Sequence, residues 1–109
     1  MNKDRLYLES IRECLDRIAE YTSEGEAAFL DSHLVQDGVV RNLISIGEAT
    51  KNLSAALRAA HPHIPWRQIA GMRDVLIHDY LKVNLARVWR TVSADLPPLR
   101  ATVQRLLQS

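Results

Sequence analysis

Apolar residues recur along this chain at steps of three and four. Leu8, Ile11, Leu15 and Ile18 fall between charged neighbours, which predicts an amphipathic helix from about Lys3 to Tyr21 with a charged outer face. Thr22, Ser23, Glu24 and Gly25 end it. Glu26 to Leu30 form one short turn, and Asp31 or Ser32 caps the next helix. That helix is predicted to be the longest, from about His33 to Ala60. Val39, Leu43, Ile46, Thr50, Leu53 and Leu57 make one stripe, and Val40, Ile44 and Gly47 a second. Two adjacent stripes mean burial on two sides, as in a central helix that also meets a partner, with Val40 on the partner side. Gly47 lowers helix propensity by about 1 kcal/mol relative to alanine, which close approach of another backbone would offset.

Pro62 and Pro65 stop that helix. Trp66 opens another and anchors it in the core, with Gly71 placed to bend it. Asn84 caps a helix from Leu85 to about Ala94, its inner face carrying Leu85, Val88, Trp89 and Val92. Asp95, Leu96, Pro97 and Pro98 mark a new N-terminus, since proline is tolerated in a first turn. Leu99, Val103, Leu106 and Leu107 turn the last helix inward. No strand pattern, repeat or linker interrupts this. The expected fold is all-α: an up-and-down bundle of about four to five helices, one domain over residues 1–109.

Composition adds limits. A single cysteine, Cys14, excludes an internal disulfide and fits a reducing compartment. Charges at Lys3, Asp4, Arg5, Glu9, Arg12 and Glu13 break any apolar leader, and no segment approaches the ~20 apolar residues of a membrane helix. The expectation is a soluble, cytoplasmic protein. The net charge of +1 argues against a generic charge-driven nucleic-acid binder, yet residues 1–65 carry −3 and residues 66–109 carry +4. The basic half contains Arg67, Lys82, Arg87 and Arg90. His61 and His63 have no third ligand near them in sequence, so no metal site and no cofactor is assigned.

The chemistry gathers between Met72 and Tyr80. As a helix, this stretch puts Arg73 and Tyr80 nearly on one stripe and Asp74 and His78 on a second beside it, four residues apart. Met72, Leu76 and Ile77 lie across from them and dock the helix. Histidine moves protons near neutral pH, and arginine offers a fork of donors to phosphate oxygens. The pair suits phosphodiester chemistry. Asp74 is positioned to accept from His78 and fix its tautomer. Glu48, beside Gly47, either hydrogen-bonds this helix or stands exposed. An exposed helix with a solvated arginine would show the same spacing.

Arg73, four residues, His78, one residue, Tyr80 resembles the signature of HepT-like toxins, a branch of the HEPN superfamily. Three further stretches are similar to that family: Arg41 to Leu53 around Gly47, Glu48 and Ala49; Trp66 to Arg73; and Val88-Trp89 with Asp95, Leu96 and Pro97. The resemblance implies a toxin of a type II/VII-like toxin–antitoxin system, a metal-independent endoribonuclease that cleaves RNA as a homodimer with both motifs in one cleft. It implies that Arg73 and His78 are catalytic. It also implies that an MntA-type nucleotidyltransferase antitoxin transfers AMP onto Tyr80.

Two other function classes fit the residues. One is a non-catalytic nucleotide- or substrate-binding subunit of a two-component nucleotidyltransferase, with the Arg73/His78 face on phosphate and Tyr80 as a stacking ring. The other is a structural dimerisation bundle in which that face has no role. RNA cleavage in chelator, and growth arrest when the protein is expressed alone, separate the three.

Overall fold

The computed structural model describes residues 3–78 and 83–108; Asp79, Tyr80, Leu81 and Lys82 lie outside the described residues. The helices are α1 (Asp4–Tyr21), α2 (Glu26–Asp31), α3 (His33–Lys51), α4 (Ala55–Ala60), α5 (Trp66–His78), α6 (Leu85–Arg90) and α7 (Leu96–Gln108). No strand occurs among the described residues. The fold is an all-α HEPN-like bundle.

The centre is α3, with α1 packed on one side and α5 on the other, and α7 closes on α1. The predicted stripes explain this. Val39, Leu43, Ile46 and Thr50 are wholly buried, as are Ile11 on α1 and Leu99 and Val103 on α7. Val40 is only 7% exposed, so this residue of the second stripe packs inside the chain rather than on an open face, whereas Ile44 of the same stripe is only partly buried. Phe29 of α2 is wholly buried, its ring centroid 5.3 Å from that of Trp89. Tyr21 closes the far end of α1 over Gly38, where an added Cβ would meet the ring at 3.0 Å. Cys14 is buried in the same core, and that burial pushes its thiol above the ordinary 9.0.

Local chemistry sets most helix ends. Gly25 takes φ 92°, the left-handed conformation that lets α1 turn into α2. Ser32 Oγ accepts from Val35 N, Ser54 Oγ from Leu57 N, and Asn84 Oδ1 from Arg87 N, three N-caps of the usual kind.

Two segments depart from the sequence-based expectation. The helix predicted over His33 to Ala60 is broken at Asn52, Leu53 and Ser54, where α3 gives way to α4. The cause is tertiary. The buried Asp4 carboxylate accepts from Ser54 N at 2.8 Å and from Ser54 Oγ at 2.6 Å, which holds Ser54 extended as an N-cap. Leu53 still points inward at 2% exposure, so the apolar stripe runs on through the break. At Asp95 the expected new start is instead a π-helical turn, Thr91–Asp95, leading directly into α7. Pro97 and Pro98 fall in the first turn of α7, directly after the π turn, and contribute no N–H groups to it.

Candidate active site on helix 5

The helix bearing the motif is fixed at its start and along one flank. Trp66 is 7% exposed, and its indole N–H donates to His61 O at 2.9 Å, so the ring pins the entry to α5. Ile69 and Leu76 are buried and Met72 packs against the core. Ile77 departs from expectation: at 42% exposure, with Val75 at 56%, it faces outward rather than docking the helix.

The crossing with α3 is tight at one residue. A Cβ on Gly47 would stand 2.9 Å from Arg73 Cβ, 3.0 Å from Ile69 O and 3.2 Å from Arg73 N. Only glycine lets α5 come this close, and the close contact falls at the motif arginine. Arg73 therefore leaves the seam between two helices rather than an open face, and its position is set by packing at Cβ.

Its head is held as well. Arg73 Nε pairs with Glu48 Oε2 from α3, and Nη1 donates to Asp74 Oδ1 at 2.8 Å. Glu48 thus contacts the motif helix, the first of the two readings its sequence position allows. Asp74 turns to Arg73 and not to His78, contrary to the tautomer-fixing contact expected from their spacing. Among the described residues, the two pairs occupy two of the five guanidinium N–H donors and leave a fork for an anion. Side-chain exposures of 33% for Arg73, 55% for Glu48 and 51% for Asp74 place both pairs in screened surroundings. They orient the group more than they stabilise the fold.

His78 is exposed at the last residue of α5. Five helical steps separate it from Arg73, about 7.5 Å along the axis and about 140° around it. Beside Arg73, an open cleft of about 440 Å³ runs between α1, α3 and α5, lined by Tyr7, Glu48, Asn52, Arg73 and Ile77 among others. The site thus offers an oriented cation at a cleft edge, with a proton carrier beyond it on the same helix. Tyr80 lies outside the described residues.

His61 and His63 do not converge on a third ligand among the described residues. His63 Nε2 is 3.1 Å from Thr102 Oγ1, and the two rings meet edge-on at 6.1 Å. No group of three or more metal-binding side chains occurs among the described residues. Among the same residues, no helix is long and apolar enough to cross a membrane.

Comparison with known proteins gives a consistent picture. The family described as ribonuclease HepT-like matches residues 11–106. A Thermococcus cleftensis protein named probable ribonuclease HepT is 43% identical over 101 residues, 92% of each chain. A Caldanaerobacter subterraneus protein named as a candidate RNase is 39% identical over 109 residues, 99% of this chain and 97% of its own. A Methanocaldococcus jannaschii protein, named as a gamma-glutamylcyclotransferase and candidate RNase, is 40% identical over 110 residues. The chain spans half the length of that last relative. No solved structure matches.

Proposed function

Because the chain belongs to the HepT-like family of the HEPN superfamily, we propose that it is a ribonuclease, and more narrowly a metal-independent endoribonuclease toxin. The observation that carries this reading is Arg73, fixed at Cβ by Gly47 and at its head by Glu48 and Asp74, on the helix that ends in exposed His78. An arginine held this way presents its remaining donors to a phosphate without reorganising, which is what stabilises charge developing in a transition state.

The reaction is an in-line transesterification. The RNA's own 2′-oxygen attacks the adjacent phosphorus while a base takes its proton. The P–O5′ bond breaks, and an acid returns a proton to the departing 5′-oxygen. The products are a 2′,3′-cyclic phosphate and a 5′-hydroxyl. His78 serves as base or acid, contributing about 10²–10⁴-fold. Arg73 stabilises the phosphorane-like charge, and Asp74 and Glu48 are positioning residues.

One motif histidine per chain is thin for two proton transfers, and Arg73 and His78 diverge by about 140° around their helix. A homodimer that pools two copies of the motif answers both points. For regulation, the reading is AMP transfer onto Tyr80 by an MntA-type nucleotidyltransferase antitoxin. A bulky anion there opposes RNA phosphate by volume and by like charge.

The test is RNA cleavage by the purified protein in EDTA, with Arg73→Ala and His78→Ala compared with the parent. Activity in chelator that both substitutions abolish, with unchanged melting curves, is the expected result. Binding of nucleotide or partner with no cleavage would favour the non-catalytic subunit instead.

A further inference from the structure

A second cleft, of about 460 Å³, opens where the end of α3, α4 and the start of α5 meet, lined by Lys51, Ala55, Arg58, Trp66, Arg67 and Ala70. Among the described residues, three of the six that line it are cations and none is a carboxylate. The salt bridges among the described residues involve Arg5, Arg73 and Arg100, none of which lines this cleft. Arg58 Nε is buried there with no hydrogen-bond partner among the described residues. Buried donors are ordinarily satisfied, so an unmet one just beneath an open basic cleft is a donor that a small side-chain shift offers to an anion. The first turn of α5 adds the positive end of a helix dipole to the same wall.

The cleft is also in line with the motif histidine, though not with Arg73. Steps of three and four lead along α5 from Arg67 to Ala70, Asp74 and His78, so these residues share one side of the helix. Arg67 and His78 are about 16 Å apart along the axis, a spacing suited to phosphates a few nucleotides apart on one strand. Charge, an unmet donor and alignment agree on the same kind of ligand.

We propose that Lys51, Arg58 and Arg67 form a subsite for the phosphate backbone of the RNA strand, flanking the phosphate that is cut. It rests on the ribonuclease reading only for its link to cleavage. The subsite holds the strand by charge and does not read bases, because phosphate contacts set register while base edges carry sequence. Trp66 has its N–H committed to His61 O and serves as a wall, not a donor.

The experiment removes the two exposed cations, Lys51→Gln with Arg67→Gln, and compares a control of equal charge, Arg12→Gln with Arg41→Gln. Affinity for a fluorescent single-stranded RNA is measured against salt in a His78→Ala background, and cleavage kinetics in the active background. Each lost phosphate contact lowers the slope of log affinity against log salt by about 0.7 for single strands, so the cleft pair should lose about 1.4. The control should lose little. In the active background KM should rise with the single-turnover rate at saturating RNA unchanged. Equal slopes for cleft and control variants overturn the subsite, even if the parent cuts RNA. A parent that binds RNA without cutting it, but loses slope in the cleft pair, supports the subsite and removes the ribonuclease reading.

Discussion

Gly47 faces Arg73 where α3 and α5 cross: the place where α3 has no side chain is the place where α5 carries the motif arginine. Gly47→Ala gains about 1 kcal/mol of helix propensity but forces a Cβ to 2.9 Å from Arg73 Cβ, with the Ile69 carbonyl close behind. None of those atoms is the free end of a flexible side chain, so α5 must move. Overpacking of this kind costs about 1–3 kcal/mol, and Gly47→Val lies at or beyond the upper end. Both variants should melt earlier than the parent. Both should also lose more RNA cleavage than their stability loss explains, measured well below the melting transition.

Glu48→Gln separates holding Arg73 from stabilising the fold. The pair is half exposed, so stability should change by less than about 1 kcal/mol. The guanidinium loses one of its two orienting partners, and misplacement of a reacting group by about 1 Å can cost 10²-fold in rate. Removing a carboxylate beside Arg73 should meanwhile favour binding of an anion such as RNA. The expected signature is a lower kcat with an unchanged or lower KM. Arg73→Lys should resemble Arg73→Ala, because a single ammonium cannot span Glu48, Asp74 and a phosphate.

Much of the fold and part of the site are legible in the sequence because they are local. Helix periods place Ile11, Leu43 and Val103 in the core, and Ser32 and Asn84 announce the helices they cap. Gly47 reads as a close approach because glycine inside a helix calls for a reason. The break before α4 is not legible: its cause, Asp4, lies 50 residues away, and Leu53 keeps the apolar stripe unbroken. Ile77 is misplaced by the pattern because periodicity gives an angle around α5 but not where α3 lies. Arg73 takes the seam, and Ile77, one turn on, emerges beyond it.

Asp4→Ala tests that break directly. It removes two hydrogen bonds from a carboxylate that is 7% exposed and leaves Ser54 N without its acceptor. Hydrogen bonds to charged groups are worth about 1.5–3 kcal/mol, and a chain of this size melts about 4–8 °C lower per kcal/mol lost. Amide exchange should rise first over Asn52 to Ala60, since Ser54 N-caps α4. A variant with the parent's melting point and unchanged protection there would show that the break is fixed by local sequence alone.

Cys14 gives a prediction about pH. Burial is the largest influence on its thiol, Glu13 adds to it, and Arg17 opposes them; the net effect raises the folded-state pKa above 9.0. A raised value means that the folded chain keeps a proton that the unfolded chain gives up. Its contribution to stability is therefore complete at neutral pH and declines as pH rises from the unfolded value through the folded one. Denaturant melts at several pH values should show the parent losing stability above about pH 9 more steeply than Cys14→Ala does. The alanine variant should itself be less stable at neutral pH, because it removes a buried side chain. The same burial predicts kinetics: a thiol reagent should modify Cys14 at the rate of local or global opening, and fast only in denaturant. Immediate stoichiometric labelling of the folded protein at pH 7 would show that Cys14 is reachable, and would remove the reason for its raised pKa.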